Sequence, residues 1–435
     1  MRRKRLCPFY FVKRSRVEFT PLQLVASLIF ALAVAHTFLT KYFERLAHVY
    51  PRHAGVFHFL GEVEAVFGFW ALVLMVAMAA MSGPHDALTY LEGRNFTEPM
   101  FVFVIMVVAA SRPVMTLVQD TVLGLALRVP VHTRMALMFM ILCLVPLLGS
   151  FITEPAAMTL AALLLRDIIF NQHASHGLRY GTLGVLFVNV SIGGTLTSFA
   201  APPVLMVAAK WQWDMMYMMT HIGWRAALAC AVNAAALVLI FRRELCAHPF
   251  LNDTRTRAVP LGVSAIHVLF LAGVVVSAHH PVVFMGLFLF FLGYTVAYKD
   301  HQHPLILREA LMVAFFLAGL VVLGGMQEWW LRPALLSMDS TVVYYGATAL
   351  TAITDNAALT YLGSLVDGLS EEFKLSLVMG AVTGGGLTLI ANAPNPAGAA
   401  ILKVRFSDQS ISAKDLFLAA CLPTLVAIAC MRFIG

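Results

Sequence analysis

Two short segments of this 435-residue chain combine carboxylates, hydroxyls and helix-breaking residues in the same order. Residues 153–159 read T-E-P-A-A-M-T and residues 354–360 read T-D-N-A-A-L-T, identical at four of seven positions. Downstream, G-G-T-L-T-S-F-A-A-P-P from Gly193 is matched by G-G-G-L-T-L-I-A-N-A-P from Gly384. Alanine-rich sequence matches by chance easily, so either pair alone is weak; two pairs in the same order mark a duplicated unit. Glu154 and Asp355 fall at corresponding places in the alignment, with Thr153, Thr159, Thr354, Thr360 and Asn356 supplying neutral oxygens beside them. Such a group can hold either a proton or a hard cation, because burial penalises the bare charge and either one neutralises it. Around Gly193, Gly194, Gly384 and Gly385, the residues Thr195, Thr197, Thr388, Asn392 and Asn395 add further oxygens, and Asn189 lies just upstream. The competing reading makes Thr-Glu-Pro and Thr-Asp-Asn plain helix caps and the amides and hydroxyls plain contacts between helices. Capping and ion binding are compatible.

The elements that must carry these residues follow from composition. Hydrophobic residues make up 60% of the chain, charged residues 12%, and the mean hydropathy is +0.82. Soluble domains run near 25% charged, so a water-soluble protein or a disordered chain is excluded. The fold class expected is an all-α polytopic membrane protein. A bilayer core of about 30 Å needs roughly 20 apolar residues per helix. Candidate spans are 20–40, 60–82, 98–118, 133–151, 181–208, 219–241, 260–277, 281–298, 308–326, 340–353, 374–403 and 413–434. Eleven or twelve transmembrane helices are therefore expected, the first of them a true span and not a cleaved leader. The chain divides into a basic arm (1–19), a first membrane half (20–241, its repeat beginning near 60), a basic linker (242–259) and a second half (260–435).

Seven of the 30 basic residues lie in the arm: Arg2, Arg3, Lys4, Arg5, Lys13, Arg14 and Arg16. Arg242, Arg243, Arg255 and Arg257 mark the linker, and Lys41, Arg45 and Arg52 mark the 41–58 loop. Such clusters orient spans and attract anionic lipid, and give no reason to expect nucleic acid. With six crossings between arm and linker, both are expected to be cytoplasmic, and the 41–58 loop is then an exception. The same spans put six crossings between 60–82 and 281–298, whereas inverted repeats require an odd number. The 260–277 and 281–298 pair, interrupted by His279-His280-Pro281, is the first suspect.

The remaining candidates carry less. Glu62, Glu64, Glu98 and Glu309 open spans, where helix-dipole and interface roles explain them. Arg166 and Asp167 can pair, and Trp329-Trp330 reads as an interfacial anchor. The six cysteines form no C-x-x-C pair and read as packing. His173, His176, His301 and His303 lie in loops, no H-E-x-x-H zinc site or ATP-binding loop occurs, and neither an enzyme nor a resident cofactor is expected.

Pro155, Pro202, Pro203, Pro394 and Pro396 remove backbone donors inside the duplicated segments. Broken helices at matching places in two halves are the sequence mark of a transporter's binding site. The runs F-I-T-E-P-A-A-M-T, N-V-S-I-G-G-T-L-T-S-F-A-A-P-P, T-D-N-A-A-L-T and G-G-G-L-T-L-I-A-N-A-P-N-P-A-G resemble the sodium/proton antiporters allied to the NhaD type, within the ion transporter superfamily. The resemblance implies two inverted repeats, each with a re-entrant hairpin (151–170, 354–370) and a broken helix (181–208, 374–403). It also implies a homodimer in a bacterial inner membrane. The expected function is exchange of sodium, or another monovalent cation, for protons by alternating access. The alternative is sodium-coupled carriage of a small anion, carboxylate or oxyanion. The absence of Arg and Lys from the four windows opposes it.

Overall fold

The computed structural model describes residues 19–170, 174–247, 259–406 and 409–434. The seven basic residues of the arm, Cys7, Arg255, Arg257 and His173 lie outside them. Among the described residues every regular element is helical, which is what a bilayer demands, since each backbone donor must be satisfied within its own segment. Local signals set many of the ends. Thr20 and Gln23 form a capping box ahead of Pro21–Thr37, Asp339 caps Ser340–Thr351, and Ser370 and Ser412 cap two later helices.

Among the described residues five helices are long and apolar enough to cross a membrane: Glu64–Ser82, Thr133–Ile152, Met215–Ile240, Leu307–Gly324 and Ala413–Phe433. A sixth is the pair Thr97–Ala109 and Arg112–Arg128, bent by 64° at the break. Pro21–Thr37, Leu261–Val276 and Pro281–Ala297 are shorter apolar helices. On the last two, Val276 and Val282 are 85% and 86% exposed, an apolar surface that only lipid or another protein covers at low cost.

The hairpins are longer than the sequence leads one to expect. Thr133–Ile152 and the run from Glu154 to Ile169 meet at Thr153 and lie side by side. Arg134 Nη2 donates to the Ile169 carbonyl at 2.9 Å at the open end, and a Cβ on Gly149 would stand 3.1 Å from Ala157 Cβ near the tip. The segment 133–151 is thus the first arm of a hairpin whose return runs beside it. Ser340–Thr351 is likewise the first arm of a second hairpin, with Asn356–Ser364 as its return. Hydropathy does not separate these cases, because an arm buried in protein is as apolar as one that crosses lipid.

The broken helices are His176–Gly193 with Pro202–Trp211, and Glu371–Gly384 with Asn395–Leu402. Each hairpin's first arm packs on the first half of its own broken helix, and its return helix packs on the second half of the other one. The two breaks therefore meet where the halves interlock. Ser191 Oγ donates to the Val382 carbonyl at 2.7 Å, and Gly386 lies against Val188. Trp329 donates its indole N–H to Ser27 and Trp330 to Gln327, and Ser27 in turn donates to Gln327, fastening the first helix.

Close approach of Val63–Ser82 and Leu307–Gly324 depends on Gly319, whose absent Cβ would fall on the backbone of Phe67 and Gly68. Gly319→Val should cost about 1–3 kcal/mol through overpacking and lower the unfolding temperature of the purified protein. Gly346→Ala, with no atom within 4 Å of the added Cβ, should leave it unchanged. Equal losses in both variants would contradict this contact.

Candidate functional site

The first hairpin turns on a single residue. Thr153 adopts φ +73°, a conformation costing a β-branched residue on the order of 1–3 kcal/mol, and Glu154 then opens the return helix with Pro155 second, where no N–H is needed. Glu154 is fully buried. Asn392 Nδ2, from the break of the other half, donates to Glu154 Oε2 at 2.8 Å, while Oε1 has no hydrogen-bond partner. Gly194 makes room for it, since a Cβ there would stand 2.7 Å from both Cγ and Oε1. No Lys or Arg pairs with this carboxylate among the described residues. Buried Thr153 Oγ1, next in sequence, and Asn392 Oδ1 are also unpartnered, so oxygens with spare acceptor capacity adjoin a carboxylate that has no counter-ion among those residues.

The second hairpin differs. Asp355 is the cap of the return helix, accepting from the Ala357 and Ala358 amides at 2.8 and 3.2 Å. Half-buried, it is the only charged one among the described residues lining an apolar cavity of about 170 Å³ beside Phe30, Phe67, Leu350 and Leu362. It also lines a second cavity of about 20 Å³ with Glu64 and Asn392. Asn356 follows as the first helical residue, fully buried, with neither side-chain polar atom partnered. Its backbone N–H donates to the Ala391 carbonyl at 3.1 Å, fixing the hairpin to the break.

These contacts correct the expected equivalence of Glu154 and Asp355. Gly193 abuts the Pro146 carbonyl and Gly384 abuts the Thr348 carbonyl; Gly194 then faces Glu154, and Gly385 faces Asn356. Glu154 lies eight residues after Pro146, and Asn356 lies eight after Thr348. Thr197 Oγ1 donates to the Ser150 carbonyl and Thr388 Oγ1 to the Ala352 carbonyl, which fits the same register. Glu154 therefore corresponds to Asn356, and Asp355 to Thr153, one position off the sequence alignment. A carboxylate in one half faces an amide in the other.

Most of the remaining candidates hold the irregular backbone. Thr195 donates to the Ile192 carbonyl at 2.6 Å, Thr360 to the Asn356 and Ala357 carbonyls, and Thr354 to the Leu350 carbonyl. Asn395 Nδ2 donates to the Gly385 and Thr388 carbonyls, both at 2.8 Å, leaving Oδ1 unpartnered. Thr159 is half-buried on the return helix of the first hairpin. Asn189 is outside the site. Its amide donates to the Leu142 and Cys230 carbonyls, and its oxygen accepts from Asn233, which also binds the Pro423 carbonyl. That network clamps four helices. Sequence reasoning misses Ser150 and Asn233 and reads Glu64 as a helix-end charge. Ser150 donates to the Gly193 carbonyl at 2.7 Å and accepts from the Leu196 amide at 2.9 Å, bracing the first break. For Glu64 the signal in the chain is an acidic residue just inside an apolar helix. Arg166 and Asp167 form the expected ion pair, at 2.7 Å and on the surface.

Among the described residues no group of three or more His, Cys, Asp or Glu is placed to hold a metal ion, so any cation here relies on one or two carboxylates and neutral oxygens. No curated protein matches the chain. The model of the family described as "Putative Na+/H+ antiporter" matches residues 21–434, nearly the whole chain. With this helical architecture around a buried carboxylate, the chain belongs to that family and is an integral-membrane cation/proton antiporter, a transporter and not an enzyme.

Proposed function

We propose that the protein exchanges sodium, or another monovalent cation, for protons by alternating access, with Glu154 as the principal shared binding group and Asp355 as a second. The observation that carries this is the Glu154 carboxylate, fully buried, bonded on one oxygen to Asn392 of the opposite half and free on the other. Ionised and bare at that depth, it costs several kcal/mol. A proton or a cation removes that cost, and the single carboxylate accommodates one or the other. The halves therefore rearrange readily in either neutral state and poorly in the empty charged state, which makes the exchange obligatory. The site lies where the hairpin of one half meets the break of the other, so relative motion of the halves changes its access.

Counting each hairpin as an even number of passes supports inverted repeats. Between Val63–Ser82 and Pro281–Ala297 the passes are then the first helix itself, the bent pair, the first broken helix, the helix ending at Ile240 and Leu261–Val276. That number is odd, and it becomes even only when the hairpin arm 133–151 is taken for a span. Between arm and linker the number is also odd, so the two basic segments face opposite sides. The linker then shares its face with the 41–58 loop. In this reading the seven basic residues of the arm lie on one side of the membrane and the seven of the linker and the 41–58 loop on the other, whereas six crossings put arm and linker on the same side.

Reporter fusions should place a tag after Phe241 and one at the N-terminus on opposite sides of the membrane; the same side for both would overturn the count. In everted vesicles, sodium should dissipate a respiration-driven pH gradient, and Glu154→Gln or Asp355→Asn should abolish the response. Retained dissipation by Glu154→Gln would remove that residue from the exchange. Because proton and cation compete, apparent sodium affinity should rise as pH rises, by up to about tenfold per unit while the carboxylate is mostly protonated. A pH-independent affinity would contradict a shared site.

A further inference from the structure

We infer that Glu64 is a third carboxylate of the ion path and that, with Asp355 and Asn392, it forms a second single-ion site separate from the Glu154 pocket. The inference rests on the exchange reading above and extends it to the number and kind of ions held. Glu64 stands in the first turn of Val63–Ser82, an element outside both hairpins and both broken helices. It lines the cavity of about 20 Å³ whose other polar residues are Asp355 and Asn392. Two carboxylates on so small a cavity repel unless a proton or a cation lies with them. Asn392 is the independent sign of a ligand. It is 1% exposed and lines this cavity, and its Oδ1 has no partner although its Nδ2 is engaged by Glu154. A buried amide oxygen left without a donor marks a place where something else supplies the positive end.

The volume defines the occupant. A space of about 20 Å³ suits a water-sized body such as a bare monovalent cation, and its two carboxylates disfavour an anion there. Phe316, Asp355 and Ile390 line both this cavity and the larger apolar one, so they form the wall between the two. Asn392 joins the two ion sites through one amide. A cation on its Oδ1 polarises the N–H that faces Glu154 and favours the ionised carboxylate there, so filling one site promotes deprotonation at the other. Around Glu64, the neighbouring charges are Glu62 and its ion-pair partner Arg308, which lie toward the surface.

The test uses the full chain in proteoliposomes, with sodium and lithium as probes and a preset pH gradient. Glu64→Gln should raise the apparent KM for both cations about tenfold or more while the maximum rate falls less than about threefold, and Glu64→Asp should return KM to within about threefold of the parent. Ala393→Leu, which fills the cavity and leaves every carboxylate in place, should raise KM likewise, and it decides the matter if the Gln variant does not fold. An unchanged KM in Glu64→Gln, or Glu64→Asp as impaired as Glu64→Gln, would overturn the second site. A parent protein that moves no protons in response to any monovalent cation would instead overturn the exchange reading itself. Equilibrium binding of radioactive sodium to the purified protein, lower in Glu64→Gln than in the parent, supports the site independently of transport, and equal binding opposes it.

Discussion

A fully buried carboxylate with no cationic partner among the described residues is the constraint around which this protein is built. Glu154 is fully buried, receives one hydrogen bond from Asn392 and has a free second oxygen. Every other feature of the site accommodates that group. Gly194 gives up a side chain to make space, Thr153 takes a strained backbone angle to turn the hairpin beneath it, and the second break delivers the amide. In the mechanism proposed, the cost of leaving the group bare couples the two ions, because either one neutralises it.

The irregular backbone around it is secured by side-chain hydroxyls and by close glycine contacts. Hydroxyl protons of Thr195, Thr197, Thr388 and Ser150 go to carbonyls of the breaks and hairpin arms, so part of the unwound backbone is satisfied by side chains. Glycines replace side chains where backbones cross, as Gly193 does on Pro146 and Gly384 on Thr348. These contacts repeat in the two halves, while the chemistry does not. Glu154 is answered by Asn356, and Asp355 by Thr153. The duplicated scaffold thus holds unlike groups at like positions, so its two sides need not bind ions equally.

How much of this is legible in the chain varies with the scale of the question. The membrane class, the two halves, the breaks and the carboxylates are readable, because long apolar runs interrupted at matching places by Gly, Pro and charge fit few architectures besides a duplicated carrier. Hairpin arms are not, since 133–151 and 340–353 are as apolar as true spans and only contacts such as Arg134 with Ile169 reveal the turn. The register between the halves slips by one because T-E-P and T-D-N align best by letters, whereas packing against Gly194 and Gly385 is what places the side chains. Asn189 looks like a site residue for its position beside the glycines, yet it is spent on Asn233 and two carbonyls. Glu64 looks like a helix-end charge because nothing in linear sequence brings it to Asp355.

The central claim is that one carboxylate trades a proton for a cation, and proton release on cation binding tests it most directly. Sodium added to purified protein in weakly buffered detergent solution, at a pH where the site is protonated, should release protons in proportion to sodium bound. Glu154→Gln should lose most of that release. Sodium binding of normal affinity without proton release, or full release from Glu154→Gln, would contradict the account.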